Sequence, residues 1–189
     1  MALHSTLQSM LRESLPEYLR AAEYCTSYVK EASLWGDEQS GGCLGYPAAL
    51  MLLSIVDTIG SFHRGKDELQ IIVDGKRVKI RKDGFQHFYV LNSEYYDQSL
   101  DSSSIKRLHD NFRNLLAHNA SLAPLHFLVK WPQEPALFPK KDSYPLVNIP
   151  PFLEKSKHAV DLFLRRIDEL LPNSEQARNI GLKSNHGVT

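Results

Sequence analysis

Residues 102–119 read SSSIKRLHDNFRNLLAHN, and this stretch decides the fold. Its apolar residues recur at intervals of three and four, which places them on one face of an α-helix: Ile105, Leu108, Phe112, Leu115 and Leu116. Asp101 and the serines after it are typical N-cap residues, and Asn119 can adopt the left-handed conformation that ends a helix. The sequence therefore predicts an amphipathic helix whose last turn and a half carries the run RNLLAH.

The run RNLLAH places three functional groups in a fixed order, Arg113, Asn114 and His118. In this form the sequence resembles the HEPN superfamily (higher eukaryotes and prokaryotes nucleotide-binding), whose ribonuclease members carry an arginine, a polar residue, a short spacer and a histidine. The resemblance covers the motif and the helical layout of the chain, and it identifies no subfamily. It implies a mainly α fold, an up-and-down helical bundle, and the small β-hairpin that residues 69–81 predict would be inserted in it.

Composition excludes several classes of protein. With 189 residues, 42% hydrophobic and 23% charged, the chain can form one globular domain with its own core. Lysine plus arginine equals aspartate plus glutamate at 22 each, so no overall charge draws the chain to nucleic acid or membrane. Cys25 and Cys43 lack metal-ligand spacing, and no phosphate-binding glycine loop is present. We expect no metal and no cofactor.

Turn residues and apolar spacing divide the first part of the chain. Ser14 as N-cap and Pro16 in the first turn predict a helix that continues to about Ala32. The most apolar window, residues 46–59, predicts the most buried helix and is too short to span a bilayer. Because the N-terminus lacks a basic segment followed by an apolar run, we expect no signal peptide, no membrane contact and a cytoplasmic protein.

The last part of the chain predicts a strand, a connection and a final helix. Residues 125–131 are typical of a short strand, and the proline-rich residues 131–151 of an irregular connection. Two prolines then open a helix that Pro172 ends. We predict one domain over residues 1–172 and a flexible tail over residues 173–189, which carry few apolar residues.

Asp57 interrupts the most apolar window. It belongs to a narrow polar stripe at helical spacing, formed by Ser54, Asp57, Thr58 and Ser61. Since a buried acid without a partner is costly, Asp57 should face a cation such as Arg113 or open onto a water-filled cleft. The alternative is a hydrogen bond to a neighbouring hydroxyl or loop amide. In the first case Asp57 supports the motif.

Residues 69–81 alternate apolar and polar residues around Asp74-Gly75, which predicts a β-hairpin. Val78 and Ile80 point to one face of it. The opposite face carries the densest positive patch of the chain, formed by Arg77, Lys79 and Arg81. A solvated hairpin face accounts for such a row, and so does contact with RNA phosphates.

Arg113 and His118 are five positions apart, about 500° of helix rotation, so they project roughly 140° from each other. A single chain therefore makes an awkward site. A twofold homodimer would unite two copies of the helix in one cleft, which is also how the resemblance implies that catalytic HEPN ribonucleases are built. Such a cleft suits metal-independent RNA cleavage, with imidazoles as base and acid and Arg113 on the phosphate. Asn114 would orient His118 or hold a phosphate oxygen.

The resemblance implies an endoribonuclease of the toxin or phage-defence type, with RNA as substrate and an antitoxin protein as partner. One alternative is a non-catalytic HEPN-fold module that binds RNA, a nucleotide or a protein. Another is an unrelated helical protein in which the helix dipole alone favours a histidine at position 118. The catalytic candidates are Arg113, Asn114 and His118, and we interpret three other histidines as surface or packing residues rather than ligands: His63, His87 and His109.

Overall fold

Three long helices form the core of the protein in a computed structural model that describes residues 6–81, 84–141, 144–178 and 180. The chain is 61% helix and 8% strand, which confirms the predicted mainly α fold with a small hairpin. One hydrophobic cluster runs through the three long helices. In chain order the first helices are α1 (Leu7–Ser27), the short α2 (Ala32–Trp35) and α3 (Gly45–Phe62), and the last is α6 (Ile149–Leu170).

The first helix begins earlier than its sequence suggested. Thr6, not Ser14, is the N-cap: its side chain accepts a hydrogen bond from the Ser9 amide. Pro16 therefore lies inside α1, where it has no N–H to donate to the preceding turn. The helix also ends before Ala32, and Val29 beyond it is exposed.

α3 is the most buried helix, as its composition predicts. Buried residues occupy most of its circumference, and Ser54, Asp57 and Thr58 form a partly buried polar stripe. The helix extends to Phe62 and is therefore longer than the apolar window. Among the described residues, it is the one helix with the length and composition to cross a membrane. More than half of it is buried by the rest of the chain, as in the core helix of a soluble protein.

The predicted hairpin is present and short. β1 (Ile71–Val73) and β2 (Lys76–Val78) pair antiparallel around Asp74 and Gly75, whose φ angles are 51° and 71°, as a tight hairpin turn requires. A 3₁₀ helix over Gly84–Asn92 follows and packs against α3. Its aromatic side chains enter the core, as do Tyr95 and Tyr96 behind it.

The predicted helix over residues 102–119, called the motif helix below, is continuous but not uniform. It consists of α4 (Ser102–Arg107), a π-helical segment (Leu108–Asn114) and α5 (Leu115–Asn119). Asp101 is the N-cap, as predicted, and accepts a hydrogen bond of 2.6 Å from the Ser104 amide. The left-handed residue at the end is Ala120, not Asn119, which is the last helical residue.

The proline-rich connection contains strands that the sequence did not predict. β3 (Phe127–Val129) is the predicted strand, and it pairs parallel with β5 (Tyr144–Asn148). β5 also pairs antiparallel with β4 (Lys140–Lys141). The fully buried Asn148 side chain bonds the Trp131 amide and the carbonyls of Trp131 and Glu134, each at 3.0 Å. It organises a segment whose prolines supply no N–H donors.

The start of the predicted tail belongs to the fold. Ser174 is fully buried, residues 175–178 form a helical turn, and Glu175 binds Arg64 at 3.0 Å. Residues 181–189, on which most of the tail prediction falls, lie outside the described residues.

Gly60 sets the distance between α3 and the 3₁₀ helix. A Cβ atom there would lie 2.6 Å from the His87 carbonyl carbon and 2.8 Å from its Cα, closer than real contacts allow. A side chain at position 60 would therefore push the His87 backbone away from α3.

Gly60→Ala should lower the free energy of unfolding by about 2 kcal/mol, because backbone atoms must move to admit the methyl group. Urea denaturation measures the change. Gly45→Ala is the matched control in the same helix, since its Cβ would meet Leu128 at an ordinary 3.6 Å. It should be neutral or stabilising, and equal effects of the two variants would contradict the close approach at Gly60.

Candidate active site

Polar groups from three elements meet at the surface of α3. Asp57 Oδ1 lies 2.7 Å from Nδ1 of His87, on the 3₁₀ helix, and Oδ2 lies 2.7 Å from Nη2 of Arg113, on the motif helix. The side chains are only 18%, 9% and 28% exposed, respectively. One carboxylate thus joins both neighbouring elements to α3, and the contact between Asp57 and Arg113, one of the alternatives from the sequence, is confirmed.

Asp57 carries a negative charge at neutral pH. Burial by itself would raise the pKa of its carboxyl group, but the hydrogen bond from His87 and the positive charge of Arg113 outweigh burial and lower it. Because the carboxylate accepts, His87 donates through Nδ1–H, which fixes its tautomer.

The π-helical segment determines which groups of the motif helix lie together. In a π-helix residues five apart are neighbours, so Asn114 Nδ2 lies 3.4 Å from His109 Nδ1. The same ring nitrogen is 2.7 Å from Asp110 Oδ1. The shorter contact with the carboxylate prevails, so His109 donates to Asp110 and Asn114 lies beside the ring.

Arg113 and Asn114 form a unit. Arg113 Nη1 donates to Asn114 Oδ1 at 3.0 Å, while Nη2 binds Asp57. Nε of Arg113 is shielded from solvent and has no acceptor among the described residues. Such an unsatisfied donor is uncommon in folded proteins and occurs at functional sites.

His118 lies apart from this cluster. It is exposed on α5, and no hydrogen bond or ion pair joins it to another described residue. The structure therefore bonds Arg113 to both Asp57 and Asn114, and it forms no hydrogen bond or ion pair between these residues and His118 within one chain. Asn114 is engaged by Arg113 rather than by His118.

Two histidines belong to the cluster in addition to the predicted site residues. His87 and His109, interpreted as surface or packing histidines, flank the Arg113 and Asn114 pair. His109 is only 11% exposed and also packs edge-on against Phe88 at 5.5 Å. No pattern in the sequence could have indicated them. His87 meets Asp57 across 30 positions of the chain, and an α-helical spacing of 3.6 hides the contact between His109 and Asn114, which are five positions apart.

The basic hairpin residues lie outside the cluster. Arg77, Lys79 and Arg81 are exposed, whereas Ile80 is buried, as the alternation predicts. Lys79 forms an ion pair with Asp67. A cavity of about 730 Å³ lies elsewhere, against the start of α6, and none of the predicted site residues lines it.

No metal site accompanies these groups in the part of the chain that the structure describes, where no three His, Cys, Asp or Glu side chains are placed to hold an ion. No protein-family model, curated protein or solved structure matches the chain. The resemblance to HEPN proteins therefore stays a prediction that depends on the motif.

Asp57→Asn should lower the free energy of unfolding by about 3 kcal/mol at pH 7, because it leaves Arg113 without its counter-charge. The lowered pKa of Asp57 sets the pH dependence: its stabilisation is complete above about pH 4 and is lost as the pH falls through the folded pKa. The difference between wild type and variant should thus shrink below pH 4. Urea denaturation between pH 7 and pH 3 measures it.

Two other groups serve as controls for this experiment. Burial lowers the pKa of His63 to about 3, so the unfolded state binds a proton more readily and the fold is destabilised below pH 6.5. This effect is the same in wild type and in Asp57→Asn. Asp161→Asn removes an exposed partner of Arg165 and should cost no more than about 0.5 kcal/mol. A difference between wild type and Asp57→Asn that stays constant down to pH 3 would refute the charged pair.

Proposed function

We propose that the protein is a metal-independent endoribonuclease of the HEPN type that acts as a homodimer. The observation that carries the proposal is the division of the motif: Arg113 and Asn114 are fixed beside Asp57, while His118 is exposed and unbonded on the last turn of the same helix. A second copy related by a twofold axis would place its His118 beside Arg113 and Asn114 of the first copy, and the first copy would do the same for the second.

The imidazole of His118 has the chemistry for both proton transfers. A neutral ring accepts the proton of a ribose 2′-OH as the oxygen attacks phosphorus. The P–O5′ bond then breaks, and a protonated ring, from the second copy, gives its proton to the leaving O5′. The products are a 2′,3′-cyclic phosphate and a 5′-hydroxyl end.

Arg113 would bind the scissile phosphate and stabilise the charge that builds on its oxygens. Asp57 and Asn114 act on the guanidinium by holding it in one orientation, which makes Asp57 a positioning residue. Preorganised donors of this kind do not need to reorganise during the reaction.

The motif also suggests a biological setting. By resemblance, the protein would be a cytoplasmic toxin or phage-defence component, with cellular RNA as its substrate and an antitoxin protein as its partner. The burial of α3 within the fold is compatible with this setting.

One observation favours a second function, a non-catalytic module that binds RNA, a nucleotide or a protein. Within one chain His118 forms no hydrogen bond or ion pair with another described residue, so no group orients its imidazole for proton transfer. In such a module Arg113 would bind its ligand while His118 served no proton transfer.

Cleavage of end-labelled RNA in the presence of EDTA distinguishes the two. We expect wild-type protein to yield 2′,3′-cyclic phosphate ends, and His118→Ala to lose at least a hundredfold in rate, the usual contribution of an acid–base group. Arg113→Lys keeps the charge but not the planar fork, and should also lose most activity. His158→Ala, at an exposed histidine on α6, is the control and should cleave like wild type.

Three results would contradict the ribonuclease proposal. One is cleavage that survives both His118→Ala and Arg113→Lys, since the motif would then be outside the mechanism. Another is a protein that binds RNA without any turnover, which the module predicts. The third is a strict monomer at micromolar concentration by light scattering, which could not form the composite cleft.

A further inference from the structure

Three exposed cations lie in a row on the outer side of the hairpin: Arg77 on β2, and Lys79 and Arg81 in the segment that follows it. They alternate with Val78, which is partly buried, and Ile80, which is buried. Residues 77–81 cover at most about 14 Å of chain, which limits the length of the row. The opposite face is anchored in the core by Ile80.

Two contacts fix the direction of this row against the motif helix. At the turn of the hairpin, Asp74 Oδ1 accepts a hydrogen bond of 3.2 Å from the Ser102 amide, at the start of α4. Beyond β2, Gly84 lies against His109, whose ring would be 3.8 Å from a Cβ at that glycine. The chain that includes the row therefore runs alongside the motif helix, from its N-terminus towards the cluster.

The end of the row is close to the candidate active site. Arg81 and Gly84 are three positions apart in the chain, a span of at most about 11 Å. A Cβ atom on Gly84 would lie 3.8 Å from the His109 ring, and Asn114 Nδ2 lies 3.4 Å from Nδ1 of that ring. Arg81 is thus the member of the row nearest to Arg113 along this path.

We propose that the hairpin is a phosphate-binding track that leads a single RNA strand to Arg113. The inference rests on the proposed function and adds to it how the substrate is held: Arg77, Lys79 and Arg81 bind successive phosphates beside the one that is cleaved. The side chains contact backbone oxygens, so the track binds RNA irrespective of its base sequence.

The ion pair between Lys79 and Asp67 does not close the track. Both side chains are exposed, at 43% and 70%, and an exposed pair of this kind contributes little stability. A phosphate can therefore replace the Asp67 carboxylate on Lys79. The remaining two members of the row, Arg77 and Arg81, form no ion pair with an acid among the described residues. The hydrogen bond from Lys79 lowers the pKa of the Asp67 carboxyl, and the charges of both arginines lower it further.

The salt dependence of binding counts the phosphate contacts. The probe is a fluorescein-labelled 2′-O-methyl RNA 20-mer, which lacks the attacking hydroxyl and cannot be cleaved. On a single strand each phosphate contact contributes about 0.7 to the slope of log K against log salt concentration. The triple variant Arg77→Gln, Lys79→Gln, Arg81→Gln should reduce the slope by about 2 and weaken binding at least tenfold. Arg81→Gln alone should reduce it by about 0.7.

A variant with the same loss of charge is the matched control. Arg12→Gln, Arg20→Gln, Arg165→Gln removes three exposed arginines from α1 and α6, and should leave the slope unchanged. Equal slopes for wild type and the triple hairpin variant would overturn the track, as would a wild type that does not bind the probe.

The outcomes for the track and for catalysis are separable. A wild type that cleaves ordinary RNA, with a slope unaffected by the hairpin substitutions, overturns the track and leaves the ribonuclease standing. A slope reduced by about 2 in a protein that never cleaves RNA supports the track and removes the catalytic proposal.

Discussion

The structure depends on one partly buried carboxylate. Asp57 lies on the most apolar helix of the fold, and its two oxygens are taken by side chains from two different elements, His87 at 2.7 Å and Arg113 at 2.7 Å. The pair therefore fixes the positions of the 3₁₀ helix and the motif helix on α3. Apolar packing alone, which is non-directional, would not specify these positions so narrowly. Gly60, one turn along α3, makes the arrangement possible because it admits the His87 backbone.

The same constraint divides the functional groups into a fixed half and a free half. Arg113 and Asn114 are held by hydrogen bonds and by the π-helical segment, which widens the turn and brings His109 alongside. His118 follows on a regular α-helical turn and is exposed. A guanidinium in a set orientation and an imidazole open to a second molecule are the two parts that a composite site needs. In the proposed assembly, rigidity and accessibility are therefore supplied by different turns of one helix.

Short-range sequence signals predicted the features that depend on neighbouring residues, such as the hairpin turn and the start of the motif helix. The Asp74-Gly75 turn requires positive φ angles, and Asp101 caps the motif helix, so both were visible in the sequence. The contact between Asp57 and Arg113 was foreseeable as an alternative, because an acid on an apolar helix needs a cation. The places of His87 and His109 in the cluster were not foreseeable. That of His87 depends on the close approach at Gly60, and that of His109 on a five-residue spacing that α-helical periodicity conceals. β5 was also missed, because it pairs with β3 across the proline-rich connection, Phe127 with Leu146, and residue spacing does not reveal such a pairing.

The most direct test of the central ion pair is a double-mutant cycle on the free energy of unfolding. Asp57→Asn, Arg113→Gln and the double variant give the coupling between the two side chains, free of their separate effects. We predict a coupling between Asp57 and Arg113 of about 2 kcal/mol or more at pH 7. For the exposed pair of Asp161 and Arg165 we predict about 0.5 kcal/mol or less. A coupling for Asp57 and Arg113 that is no larger than that of the exposed pair would contradict it.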